Sequence, residues 1–208
     1  MKPPIKLMIA DDHPAFRLGL SALIQSQPDM KLVAEAGDGQ TAVALFHRFK
    51  PDVVLMDLRM PGLSGVEAIM AIRKDFPDAR IVVVTTYDWD EDIYRAIRLG
   101  AMSYLLKDMN MEDMLQTIRD AYTGRQKLPP QVAKLLERRM DRKDLTQREL
   151  EVLQMLTKGR SNKEIGVALH VSEETVKSHL QTLFSKLGVR DRTEAVINAV
   201  RHGIVHLE

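Results

Sequence analysis

Three acids, a hydroxyl and an amine stand at the ends of short apolar runs. Asp11 and Asp12 follow Ile5-Lys6-Leu7-Met8-Ile9-Ala10, and Asp57 closes a run through Met56. Thr85 closes Ile81-Val82-Val83-Val84, and Lys107 closes Tyr104-Leu105-Leu106. Three carboxylates in one pocket repel one another, and a hard divalent cation relieves that repulsion. Mg2+ (or Mn2+) suits the set, with Asp11, Asp12, Asp57 and the backbone carbonyl of Arg59 as the expected ligands. Asp57, at the end of a central run and before a tight turn, is placed to attack a phosphoryl group in line. The Thr85 hydroxyl and the Lys107 ammonium are then expected on the phosphoryl oxygens, where negative charge has to be stabilised. Taken singly, each has a plainer reading: acids after a strand cap the next helix, and a lone lysine lies on a surface. Only their joint placement argues for chemistry.

That placement needs a scaffold. Residues 5 to about 123 read as five β/α units, with helices expected over 14–26, 38–49, 65–74, 90–99 and 111–123. Strands alternating with helices imply a parallel sheet, and ligand sites in open parallel sheets form at the carboxyl edge where the strand order reverses. The turns Gly37-Asp38-Gly39, Pro61-Gly62-Leu63-Ser64-Gly65 and Pro77-Asp78 suit short connections.

The pattern changes after Gly124. Residues 125–144 read as a linker with one amphipathic helix that starts at Pro129-Pro130 and is spaced by Val132, Leu135, Leu136 and Met140. Its Lys134, Arg138, Arg139, Arg142 and Lys143 make a basic stretch, which is either a solvated face or an assist to a polyanion. From Leu145 the strand signals stop and helix-capping pairs recur: Thr146 with Glu149, Ser161 with Glu164, Asp191 with Glu194. Four helices are expected, over 147–158, 162–169, 173–187 and 192–202. The pair joined around His170-Val171 has helix-turn-helix spacing. In its second helix Val176, Leu180, Leu183 and Leu187 share a side, while short polar side chains occupy the other. Those could hydrogen-bond base edges or phosphates, or simply face water.

Composition narrows the class. The 208 residues include no cysteine, which removes disulfides, thiolate metal sites and thiol catalysis. It fits a reducing cytoplasm, the expected location. No apolar stretch approaches the roughly 18–20 residues of a membrane span, so no membrane partner is expected. Net charge is +1, and from Asp144 onward nine basic residues face nine acids. If the helix pair docks on DNA, electrostatics alone would bind it weakly, and useful affinity is expected only for a dimer on half-sites about 10 bp apart.

The N-terminal region resembles the receiver domain of bacterial two-component response regulators. Asp11-Asp12, Asp57, Thr85 and Lys107 carry the resemblance, with the runs Met56-Asp57-Leu58-Arg59-Met60-Pro61-Gly62 and Gly100-Ala101-Met102-Ser103-Tyr104-Leu105-Leu106-Lys107. The C-terminal region resembles the LuxR/NarL-type DNA-binding domain through Leu145-Thr146-Gln147-Arg148-Glu149-Leu150, Ser161-Asn162-Lys163-Glu164-Ile165, Val171-Ser172-Glu173-Glu174-Thr175-Val176-Lys177-Ser178-His179 and Leu187-Gly188-Val189-Arg190. The resemblance implies an α/β fold, a (βα)5 flavodoxin-like receiver over 1–124, and a small all-α helix-turn-helix domain over 145–208. It further implies an acyl phosphate on Asp57 supplied by a sensor histidine kinase, and repositioning of Thr85 and Tyr104 on phosphorylation. Lys177, Ser178 and Gln181 would face the major groove of double-stranded DNA, and Asn162, Lys163, Thr175 and His179 its backbone. The last helix would make a homodimer contact, for which Val196, Ala199 and Val200 offer an apolar stripe. RNA polymerase is a further partner of such regulators. One departure stands out: Asp108 follows Lys107 where many receivers have proline.

The expected function is therefore transcription regulation through phosphorylation-controlled dimerisation and sequence-specific DNA binding. An enzyme turning over an aspartyl phosphate is the competing class. Such phosphatases usually carry a second acid two residues after the nucleophile, and that position is Arg59. A DNA-binding protein with a passive receiver scaffold is a third reading, opposed by the complete acid–threonine–lysine set.

Overall fold

Continuous apolar runs bounded by turn residues are what strands buried on both faces require. In the computed structural model, which describes residues 3–86, 90–126, 128, 130–140 and 142–205, five such runs form one parallel sheet. They are β1 (Ile5–Ala10), β2 (Met30–Ala36), β3 (Val53–Asp57), β4 (Ile81–Thr85) and β5 (Ser103–Leu106), in the order β2-β1-β3-β4-β5. Strand order reverses between β1 and β3, whose register pairs Ala10 with Met56. Every residue of β3 is buried, whereas the edge strand β2 is partly open.

Helices α1 (Pro14–Gln25), α2 (Gly39–Phe49), α3 (Gly65–Asp75), α4 (Asp90–Arg98) and α5 (Met111–Tyr122) alternate with the strands. Leu20 and Ile24 of α1 and Met114, Leu115 and Ile118 of α5 pack on Leu7, Ile9, Leu55 and Val84. Alternation along the strands turns Met8, Val54, Met56, Val83 and Tyr104 to the opposite face, and all are buried. The first three expected helices start and end within a residue of the observed ones, because their start and stop signals are local: α2 ends with Lys50 at φ 43° and α3 opens on a Ser64–Glu67 capping box. Gly65 has a tertiary reason. A Cβ on Gly65 would lie 1.9 Å from the Asp57 carbonyl oxygen, so only glycine lets α3 start against the end of β3.

Helix α6 (Pro130–Met140) is the amphipathic helix expected in the linker. The C-terminal unit has α7 (Gln147–Thr157), α8 (Asn162–Leu169), α9 (Glu173–Leu187) and α10 (Arg192–Arg201). Its core is aliphatic: Val152, Leu153, Leu156, Ile165, Val176, Leu180, Leu183, Ala195, Ala199, Ile204 and Val205. The Thr146–Glu149 and Ser161–Glu164 pairs are complete capping boxes. The third pair is not: Asp191 accepts from the Glu194 amide, but Glu194 reaches the Arg190 amide at 2.9 Å instead of the cap residue's own. The described residues fall into two compact units, the first reaching Ala133 and the second starting at Lys134, with Glu91 grouped with the second. No helix among the described residues is long and apolar enough to cross a membrane.

Candidate phosphoacceptor pocket and nucleic-acid interface

The crevice between β1 and β3 collects the acids. Asp11 is 1% exposed and Asp57 4% exposed, a cost that needs compensation. Lys107, just past β5, supplies it. Its ammonium lies 2.6 Å from Asp57 Oδ2 and 2.7 Å from Asp11 Oδ2. The Arg59 amide donates to Asp57 Oδ1 at 3.1 Å, and the His13 amide to Asp11 Oδ1 at 2.8 Å. Arg17 anchors the Asp11 carbonyl at 2.5 Å.

Burial pushes the Asp57 carboxyl above the ordinary aspartate range. The Lys107 ammonium and the Arg59 amide oppose that shift, while the Asp11 charge adds to it. Burial also works against the Lys107 charge, but the bonds to Asp11 and Asp57 outweigh it and hold the ammonium above the usual lysine value. Asp57 is thus a central carboxylate whose charge is incompletely balanced.

The donor set fits a hard divalent cation. One ligand atom from each of Asp11, Asp12, His13 and Asp57 lies within 4.8 Å of the others. Asp11 Oδ2 and Asp12 Oδ1 are buried and receive no well-aligned hydrogen bond, although Lys107 and His13 stand beside them as ion-pair partners. Oxygen-rich clusters of this kind suit Mg2+ or Mn2+. Sequence reasoning found the acids but missed His13. The signal was present, since His13 occupies the N-cap of α1, a position usually held by Ser, Thr, Asp or Asn, and makes no side-chain cap bond there.

Thr85 ends β4 opposite Leu106, and its side chain lies outside the described residues. Tyr104 is 1% exposed, and its hydroxyl donates to the Ile93 carbonyl of α4 at 3.0 Å. Burial raises its pKa far above the ordinary tyrosine value. The Lys107–Asp108 peptide is trans, so the missing proline leaves ordinary backbone geometry.

In the second unit, α8 and α9 are joined by His170 at φ 55°. A Cβ on Gly166 would lie 2.8 Å from the Val171 carbonyl oxygen, so the tight turn depends on that glycine. Arg148 donates to the Leu169 carbonyl at 2.7 Å, closing the end of α8. Val176, Leu180 and Leu183 of α9 are buried, while Thr175, Lys177, Ser178 and Gln181 are exposed and His179 is half-buried. On α8, Lys163 is exposed and Asn162 half-buried. The expected apolar stripe on α10 needs correction. Ala199 is fully buried in the core of its own domain, whereas Val196 and Val200 are half-buried and Ile197 is 60% exposed. Helical spacing put Ala199 on the stripe, but α7 and α9 cover the Ala195–Ala199 side.

A phosphoacceptor-type pocket on a five-stranded parallel sheet, joined to a helix-turn-helix unit, defines a two-part regulator. Comparison with known proteins agrees. Residues 7–119 match the response regulator receiver domain, and residues 143–199 match the luxR family of bacterial regulatory proteins. The chain belongs to the response regulators that carry a luxR-family domain. It is similar to the response regulator protein VraR of Staphylococcus epidermidis, at 39% identity over 97% of this chain and 99% of that protein. VraR of Staphylococcus aureus is 38% identical over the same shares. Among solved structures, the response regulator ChrA of a heme-sensing two-component system is 37% identical, covers 98% of this chain and 100% of its own, and superposes with a TM-score of 0.59. RcsB from Salmonella enterica serovar Typhimurium, bound to a promoter in the presence of a phosphomimetic, is 26% identical with a TM-score of 0.71 and covers 93% of this chain and 97% of its own.

Proposed function

We propose that Asp57 accepts a phosphoryl group from a sensor histidine kinase and that the modification controls dimerisation and sequence-specific binding to double-stranded DNA, regulating transcription. The observation that carries this reading is the buried Asp57 carboxylate, with Lys107 at 2.6 Å and Asp11 sharing the same ammonium. A carboxylate oxygen of Asp57 attacks phosphorus in line; the donor P–N bond breaks, its electron pair returns to the kinase imidazole, and an acyl phosphate forms. Asp11, Asp12, Asp57 and the Arg59 carbonyl would hold Mg2+ or Mn2+, which supplies charge neutralisation at the phosphoryl oxygens. Lys107 follows the transferring group as the counter-charge, and the Thr85 hydroxyl takes a further phosphoryl oxygen. Tyr104, through its bond to the Ile93 carbonyl, ties the state of the pocket to α4. The new group adds about −1.5 to −2 charge, enough to bias a two-state surface.

The receiver spans 1–124, the linker 125–144 and the effector 145–208. Lys177, Ser178 and Gln181 read base edges; Asn162, Lys163, Thr175 and His179 hold the phosphate backbone. Val196, Val200 and the exposed Ile197 form the effector's dimer contact. RNA polymerase is a partner of the DNA-bound form, and the chain works in the cytoplasm without enzymatic turnover of its own. Incubation with acetyl phosphate and Mg2+, followed by mass spectrometry, tests the central step. Wild type is expected to gain one phosphoryl group and Asp57→Ala none. Equal labelling of both sinks the assignment. Sedimentation with and without beryllofluoride then reads dimerisation, and an unchanged monomer–dimer ratio rules out phosphorylation-driven assembly.

A further inference from the structure

We infer that His13 is a direct nitrogen ligand of the pocket's divalent cation and that it tilts the site toward a first-row transition ion such as Mn2+ over Mg2+. The inference rests on reading the acidic cluster as a cation site and adds a residue and a selectivity to it.

Four observations converge on His13. Its Nδ1 lies 2.7 Å from Asp12 Oδ1, 3.3 Å from Asp11 Oδ1 and 4.0 Å from Asp57 Oδ2. Around an octahedral ion with bonds of about 2.1 Å, neighbouring ligand atoms stand about 3.0 Å apart and opposite ones about 4.2 Å. The imidazole nitrogen therefore sits at ligand-to-ligand spacing from all three carboxylates. Second, its backbone fixes the approach: the His13 amide is bonded to Asp11 Oδ1 at 2.8 Å, and Pro14 follows at the start of α1. Third, the ring does not cap α1, although it occupies the N-cap. Fourth, the buried Asp11 Oδ2 has the Lys107 ammonium beside it at 2.7 Å, but that one ammonium is shared with Asp57 at 2.6 Å, so the acids of the cluster outnumber the lysine that faces them.

Lys107 stands among the same atoms, 3.5 Å from His13 Nδ1 and bridging Asp11 and Asp57. Three carboxylates alone favour Mg2+, Ca2+ and Mn2+ alike, whereas imidazole is a borderline ligand that gains more from a transition ion than from Mg2+. The His13 side chain is 66% exposed, so the ring can complete a coordination shell without being locked in the core.

The test uses the full chain. Isothermal titration with MnCl2 and, separately, MgCl2 compares wild type with His13→Ala and His13→Asn. Loss of the nitrogen is expected to weaken Mn2+ binding about tenfold or more in both variants, with a change for Mg2+ of less than about threefold. Pulsed electron paramagnetic resonance of the Mn2+-loaded wild type is expected to show the coupling of a directly bound 14N, absent in both variants. Equal losses for the two ions, or Mn2+ bound without nitrogen coupling, overturns the role of His13 while leaving the acidic cation site intact. Failure of wild type to bind either ion overturns both readings. Circular dichroism of the variants establishes that a lost coupling is not lost fold.

Discussion

Asp57 and Glu149 are both 4% exposed, yet the receiver and the effector compensate them differently. Glu149 Oε2 accepts from the Thr146 amide and from the Lys186 ammonium, each at 2.7 Å. Burial works against its charge, but Lys186 and Thr146 outweigh burial and hold Glu149 below the usual glutamate range. Asp57 has a lysine at nearly the same distance, but that lysine is shared with Asp11, and burial wins. A buried carboxylate that only holds a fold is fully satisfied. One placed for chemistry is left with a deficit that a cation or a phosphoryl group can fill.

Truncating the satisfied acid should have the largest effect. Glu149→Ala leaves Lys186 without its buried partner and opens a capping box, and is expected to destabilise the effector by about 3 kcal/mol. Amide hydrogen exchange of the full chain reads this in α7 and α9, and unchanged protection there would break the comparison on the effector side. Asp57→Asn should act in the opposite direction. Removing a charge that burial disfavours is expected to stabilise the receiver by about 1 kcal/mol without added cation, visible as a higher urea midpoint. A lower midpoint would mean that Lys107 already balances Asp57 in full.

The smallest and sharpest effect is the pH dependence. The folded-state pKa of Asp57 is raised, so its contribution favours folding below the ordinary aspartate value and is lost as pH rises through the shifted one. The folded-state pKa of Glu149 is lowered, so its contribution is present above the ordinary glutamate value and is lost as pH falls through the depressed one. Stability differences between wild type and Asp57→Asn, and between wild type and Glu149→Gln, should therefore slope in opposite directions across the acid range. Parallel slopes in urea titrations at several pH values would erase the distinction.

Much of the molecule was legible before folding. Caps, prolines and apolar periodicity are local signals, which is why the helices among the described residues lie close to their expected spans, and the linker helix lies within 125–144. The Asp191–Glu194 pair failed as a full box because the Glu194 carboxylate accepts from the Arg190 amide instead. The α10 stripe failed at Ala199 for a different reason. Periodicity gives the faces of a helix but not which face its neighbours cover. For Tyr104 the resemblance implied only a ring that repositions on phosphorylation; that the ring is buried, with its hydroxyl donating to the Ile93 carbonyl, came from packing.

Residue types and spacing by themselves determined the parallel sheet, the acids at its carboxyl edge, and the capped helices, because period, caps and turns act over a few residues. The tertiary structure alone decided that Lys107 is shared between Asp11 and Asp57, that His13 turns from its helix to the acids, and that Glu149 meets Lys186. Those outcomes join residues far apart along the chain or choose among rotamers. The charge balance of a buried group is set by which partners arrive, and only packing brings them.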